Sequence, residues 1–164
     1  MGFNNHQRSS RLETDTIVRL AEDLPNVVAL KDAGGDPVRA LRLLERAPEG
    51  FVVYSGDEPL NLGFAAYGAV GVVGVSSHWT APRQRALFDA VATGDLRTAR
   101  QIDSELQASY RFMNTHDRVF SQSVKTALGV IGVPVGDCRL PLGPSPAGSE
   151  DEARRLLRDC GFDL

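Results

Sequence analysis

The stretch "NVVALKDAGGD", Asn26 to Asp36, decides how this 164-residue chain is read. Four apolar residues, Val27-Val28-Ala29-Leu30, run into Lys31 and Asp32, and two glycines, Gly34 and Gly35, follow at once. A short valine-rich run without polar alternation predicts a strand buried on both faces of a parallel sheet. The spacing ends that strand at Leu30 and leaves Lys31 at its carboxyl tip.

Two similar runs follow, Phe51–Tyr54 and Ala69–Val75. The segments between them read as helices. Thr14 is placed to cap one through Leu20. Asp36-Pro37 supplies an N-cap followed by proline at the first helical position, opening Val38–Ala47. Asp57 is placed to cap Glu58–Tyr67, with Gly68 closing that helix. Strand, helix, strand, helix, strand implies an α/β protein with a parallel sheet. Beyond Val75 the pattern turns helical. Thr80-Ala81-Pro82 opens a helix to about Thr93, Asp95 caps one to Met113, and a third spans Asp117 to Ile131. After the proline-rich connector "RLPLGPSPAG", Arg139–Gly148, the spacing Ser149-x-x-Glu152 predicts a capping box for a last helix ending near Cys160. Two parts are expected: a strand-bearing region, residues 1–78, and a helical one, residues 79–164.

Composition bounds the rest. The chain is 42% hydrophobic and 24% charged, with a net charge of −3. A soluble globular chain is expected, without the basic excess that nucleic-acid or membrane-surface binding would need. No apolar run reaches the roughly 20 residues of a bilayer span. Cys138 and Cys160 have neither metal-ligand spacing nor enough company for a disulfide framework, so a reduced, cytoplasmic location is expected. Neither a metal nor an organic cofactor is implied.

The position of Lys31 is chemically suggestive. Ligands in parallel α/β proteins bind at the carboxyl ends of strands. "YSGDE", Tyr54–Glu58, ends the next strand in the same place. A lysine with reduced solvation favours the neutral amine, the form that attacks a ketone and makes a Schiff base. The glycines after it are expected to turn the chain tightly and leave room for a small substrate. Position alone does not decide the matter, because most strand-end lysines are simply solvated.

Several segments, taken in order, carry a resemblance. "LPNVVALKDAGGD", "VVYSGDEPLNL", "GAVGVVGVSSHW", and "VKTALGVIGVP" with "CRLPL" resemble consecutive pieces of the dihydrodipicolinate synthase and N-acetylneuraminate lyase family, the pyruvate-dependent class I aldolases. The resemblance covers nearly the whole chain. It implies a partial (β/α)8 TIM barrel, with strands resembling the sixth to the eighth, followed by a C-terminal helical domain. It makes Lys31 the Schiff-base lysine and puts Arg8, Val73 and Gly56 at the substrate. The implied partners are pyruvate and an aldehyde, aspartate semialdehyde in the synthases. A homo-oligomer or a missing N-terminal half is also implied, because a barrel alone needs roughly 250 residues and the family's threonine pair, which grips the pyruvate carboxylate, has no counterpart here.

"FNNHQR", Phe3–Arg8, resembles the family's Tyr-Asn-x-Pro-x-Arg at the tip of the fifth strand. Asn4 and Arg8 match. Phe3 stands where the family has its proton-relaying tyrosine, and phenylalanine has no hydroxyl. Two alternatives therefore stay open: a keto-deoxy sugar acid aldolase or dehydratase of the same family, and an inactive structural remnant. His78-Trp79 are expected to cap a loop rather than line a pocket. His116 is expected to be a solvated turn residue and Lys125 a structural helix lysine. Asp32 is expected to position Lys31 or a helix end.

Overall fold

A computed structural model describes residues 1–5 and 11–164. Four parallel strands form one sheet in the order β1-β2-β3-β4. They are β1 (Gly2–Asn5), β2 (Ala29–Ala33), β3 (Val52–Ser55) and β4 (Gly71–Val72). The helices are α1 (Thr14–Asp23), α2 (Pro37–Leu44), α3 (Asn61–Ala66), α4 (Ser77–Ala92), α5 (Leu96–Met113), α6 (Phe120–Val130) and α7 (Ser149–Asp159). A 3-10 turn, Glu58–Leu60, leads into α3.

The strands correct the sequence reading in three places. First, β2 continues through Lys31, Asp32 and Ala33 instead of ending at Leu30. Side chains alternate across a strand, so Leu30 and Asp32 share one face and Lys31 takes the other. Leu30 and Asp32 are buried while Lys31 is only half-buried. The sheet is therefore not covered equally on both faces. Second, β1 adds a fourth strand, which its two asparagines concealed from a reading based on apolar runs. Third, β4 shrinks to two residues of the expected Ala69–Val75. Pairing continues on either side, where Val70 N–H donates to the Val53 carbonyl at 2.9 Å and Val73 N–H to the Ser55 carbonyl at 2.8 Å.

The chain divides into two compact units that interleave in sequence. The first comprises Met1–Gly74 and Gln84–Asp103; the second comprises Val75–Arg83 and Ser104–Leu164. In the first, α2 and α3 pack on β3 and α1 packs on α2. Leu30 and Val53 from the sheet, Ile17 and Val18 from α1, Ala40 and Leu43 from α2, and Phe64 from α3 are all buried. Burying a large aliphatic side chain fully contributes about 1.5–3 kcal/mol, so this face anchors the sheet.

In the second unit α6 packs on α7, and Trp79 is buried. Its indole Nε1–H donates to Ser109 Oγ at 3.0 Å, and its ring meets Phe112 edge-on at 6.1 Å. Trp79 is thus a core residue of α4 rather than a loop cap. Arg118 is buried as well. Its guanidinium donates to Ser123 Oγ, the Phe112 carbonyl and the Glu152 carboxylate at 2.8, 3.0 and 2.8 Å.

Capping follows the sequence unevenly. Asp36 Oδ1 accepts from Val38 N–H at 3.1 Å. Asp95 accepts from the N–H and hydroxyl of Thr98 at 3.0 and 2.6 Å. Thr14 instead lies inside α1, whose N-cap is Glu13, and Asp57 makes no side-chain cap. The expected capping box at Ser149 is absent: Gly148, in a left-handed conformation, is the N-cap of α7, and Glu152 is turned to Arg118. α4 starts at Ser77 rather than Thr80, because the Ser76 carbonyl accepts from both Trp79 and Thr80 N–H at 2.9 Å. α6 starts at Phe120 rather than Asp117, which sits in a turn accepting from the Thr115 hydroxyl at 2.7 Å.

Candidate active site

Register places Phe3, Lys31, Tyr54 and Gly71 side by side across the four strands. In-register neighbours share a face, so this row lies opposite the buried row of Asn4, Asp32 and Ser55. The Lys31 row is the more open, with Phe3 53% exposed.

Local packing defines where Lys31 goes. Its Nζ lies 4.4 Å from the centroid of the Phe3 ring, within the range of a cation–π contact. Its aliphatic stem crosses Gly56, where a Cβ would come within 2.9 Å of Lys31 Cε and of Ala33 Cβ. Gly56 thus clears the path of the lysine. Gly56 N–H donates to the Asp32 carbonyl at 2.7 Å, fixing that close approach.

The lysine titrates below the ordinary value of 10.5. Partial burial is the larger cause, since it disfavours the ammonium. The carboxylate of Glu58 works in the opposite direction and raises it.

Asp32 does not position Lys31. Its carboxylate faces the helix side and accepts from Asn4 Nδ2 at 2.8 Å and from Gly34 N–H at 2.9 Å. Asn4 Oδ1 accepts from Leu12 N–H at 3.1 Å. Arg39 donates to the Leu12 carbonyl. These bonds tie β1, β2 and the following loop together. A Cβ on Gly34 would meet Asp32 Oδ1 at 2.9 Å and Asn4 Nδ2 at 3.0 Å, so Gly34 makes room for this polar group rather than for a substrate. Gly35 makes the turn, with φ of 74°.

The other expected residues are dispersed. Val73 follows β4 and is 37% exposed. Arg8 and His6 lie outside the described residues. His116 has a side chain 95% exposed, as expected of a turn. The chain has only two lysines, and Lys125 is engaged elsewhere. Its ammonium donates to the carbonyls of Val135, Gly136 and Asp137 at 2.9, 3.3 and 3.2 Å.

Two neighbours of Lys31 escaped the sequence reading. Tyr54 is the hydroxyl-bearing member of the row, and its ring lies over Gly71, where a Cβ would come within 3.2 Å. Glu58 is only 3% exposed and accepts from Gln84 Nε2 at 2.6 Å. The acidic residue two positions after Gly56 was the available signal for it. Nothing local in the sequence pointed to Gln84, which lies on another helix.

Comparison with known proteins then decides the family: the model of the dihydrodipicolinate synthetase family matches residues 3–160. The chain belongs to the dihydrodipicolinate synthetase family. A 4-hydroxy-tetrahydrodipicolinate synthase of Corynebacterium urealyticum is 41% identical over 150 residues, covering 92% of this chain and 48% of that protein. The synthase of Synechococcus elongatus is 37% identical over 155 residues, covering 93% and 49%. Among solved structures, dihydrodipicolinate synthase from Aquifex aeolicus superposes with a TM-score of 0.87 at 30% identity, covering 99% of this chain and 55% of that one. The chain therefore spans about half the length of the curated relatives it matches.

Proposed function

We propose that this chain supplies the nucleophile-bearing half of a pyruvate-dependent lyase of the 4-hydroxy-tetrahydrodipicolinate synthase type. One observation carries the reading. Of two lysines, Lys125 is spent on three backbone carbonyls, while Lys31 lies in the open row of a parallel sheet with its pKa lowered. A lowered pKa gives a larger share of free amine at neutral pH, which is what attack on a ketone requires.

The chemistry follows from that amine. Lys31 Nζ attacks the ketone carbon of pyruvate, and loss of water gives an iminium. The iminium draws electrons from the adjacent methyl group, which loses a proton to become an enamine. The enamine carbon bonds to the carbonyl carbon of aspartate semialdehyde. Hydrolysis by one water then returns the lysine.

Arg8 binds the carboxylate of the second substrate, to which a guanidinium offers two parallel donors. Gly56 and Val73 border the pyruvate, Gly56 by leaving space and Val73 by its backbone. The proton relay needs a hydroxyl, which Phe3 lacks; Tyr54 is the side chain in the row that has one. Four further strands, with the grip on the pyruvate carboxylate, close this sheet into an eight-stranded barrel. The site works only in that closed form.

Phe3 favours a second reading, a lyase or dehydratase of the same family acting on a keto-deoxy sugar acid. Such an enzyme would form the same iminium and differ in the aldehyde.

Reductive trapping tests the proposal. The chain is mixed with the first half of the Corynebacterium urealyticum relative, incubated with pyruvate and borohydride, digested and mapped by mass. The expected result is one reduced pyruvate adduct, on Lys31. An adduct on Lys125, or none on either lysine, overturns the assignment.

A further inference from the structure

Lys31 has two in-register neighbours, Phe3 on β1 and Tyr54 on β3. The two rings are used differently. The Tyr54 ring lies over Gly71 of β4, on the side away from Lys31, where a Cβ would come within 3.2 Å of two ring carbons. The charged end of Lys31 is with the other ring: its Nζ stands 4.4 Å from the centroid of Phe3. The stem of the lysine lies against Gly56, where a Cβ would meet Cε at 2.9 Å and Cγ at 3.1 Å. Phe3 is 53% exposed, so its ring contributes little to the core.

The residue type fits that contact. An aromatic ring has a negative face, and an ammonium within about 6 Å of its centroid is drawn to it. A tyrosine here would add a hydroxyl able to give and take a proton. Phenylalanine offers the face alone.

We propose that Phe3 is a positioning residue for Lys31: the face of its ring seats the cationic nitrogen, first as the ammonium and then as the iminium formed with pyruvate. The inference rests on Lys31 being the reacting amine, as proposed above. It gives the residue in the tyrosine's place a task of its own, holding a charge rather than moving a proton.

The charge stays on one atom through the condensation. Lys31 Nζ bonds to the ketone carbon and the C–O bond breaks. The oxygen leaves as water, with one proton from the amine and one from solvent. The product is an iminium whose positive charge is shared by Nζ, the atom that the ring already faces. A seat for the ammonium thus serves the iminium as well.

Other groups bear on the same nitrogen. Partial burial favours the free amine, and the Glu58 carboxylate favours the ammonium. β3 contributes the Tyr54 phenol, and Gly71 of β4 carries no side chain. Asp32 lies on the opposite face of the sheet, where it accepts from Asn4 and Gly34. Altering only the Phe3 ring leaves these groups in place.

Competitive labelling with acetic anhydride across a pH series reads the Lys31 amine directly, with Lys125 as the internal reference. It uses the chain as it stands and needs no substrate. A ring that only shielded Lys31 from water would favour the free amine, so its loss would move the labelling profile to higher pH. A ring that seats the cation does the reverse. Phe3→Leu should move the Lys31 profile to lower pH, with labelling about two- to five-fold faster at a fixed pH on the rising limb. Replacing Phe3 by pentafluorophenylalanine keeps the shape of the ring but makes its face positive, and should move the profile at least as far. Phe3→Tyr should stay close to the wild type, and Phe3→Trp, with the best face, should move the profile to higher pH. Lys125 should not change.

A Lys31 profile that the fluorinated ring leaves unmoved, or moves to higher pH, overturns the proposal. So does an equal movement of both lysines. The fluorinated ring decides the matter even where Phe3→Leu loses the native circular dichroism spectrum. If pyruvate fails to trap on wild-type Lys31 while the profiles order as expected, the substrate assignment falls and the seat for the ammonium stands.

Discussion

Lys31 was legible in the sequence as a residue of interest; its surroundings were not. Sequence order put Asp32 beside it, but alternation along β2 sends the two side chains to opposite faces. The carboxylate that works against burial and raises the pKa of Lys31 is that of Glu58, on the 3-10 turn after β3. The lowered pKa of Lys31 has a consequence for stability. A lysine whose folded-state pKa lies below its unfolded value destabilises the fold while it is charged. That penalty is fully present below the folded pKa and fades as pH rises toward the ordinary value of 10.5. Lys31→Met should therefore melt at a higher temperature than the wild type at pH 7. The difference should shrink as the pH approaches the ordinary lysine value. Thermal melts of both proteins across that range check this; a constant difference would mean that Lys31 bears no buried-charge penalty.

Among the elements, the helices were found more faithfully than the strands. α2 and α5 follow from Asp36 and Asp95, whose caps are local hydrogen bonds that a sequence can announce. The strands depend on what lies across the sheet. The sequence reading ends β2 at Leu30, the last residue of its apolar run, whereas the strand runs on through Ala33. Asp32 can stay in the strand because Asn4 and Gly34 N–H satisfy its carboxylate, and Lys31 can because its face is the open one. The apolar-run signal is weak in Gly-Phe-Asn-Asn, so β1 is pointed to only by the resemblance of Phe3–Arg8 to the tip of the family's fifth strand. Ser149 and Glu152 had the spacing of a capping box, but Arg118, 31 residues before Ser149 by numbering, draws Glu152 away. Asp32 should accordingly be worth more to the fold than a loop residue. Asp32→Ala leaves the Asn4 amide and the Gly34 N–H without their acceptor in a buried setting. An unsatisfied buried polar group costs about 1–3 kcal/mol, so chemical denaturation should show a loss of that size. Hydrogen exchange should quicken first in β1. A loss well under 1 kcal/mol would show that the Asn4–Asp32 bond does not hold β1 in place.

For the whole molecule, the decisive fact is that the chain aligns with about half of each relative. The sheet it builds has two outer strands, β1 and β4. A closed eight-stranded barrel has no edges, because its first and last strands pair with each other. Here β1 and β4 are the outer strands of the described sheet, and Phe3 is 53% exposed in the Lys31 row. Exposed edges without a charged or proline-bearing defence invite pairing with another chain. β1 and β4 contain neither charge nor proline. The same row that carries Lys31 is thus both the candidate catalytic face and the surface that another half-barrel would cover. Light scattering of the isolated chain over a concentration series tests this most directly. Species larger than a monomer are expected, growing with concentration and replaced by a single defined complex when the first half of a relative is added. A sharp monomer at every concentration, with one cooperative melt and no response to the added half, would contradict it.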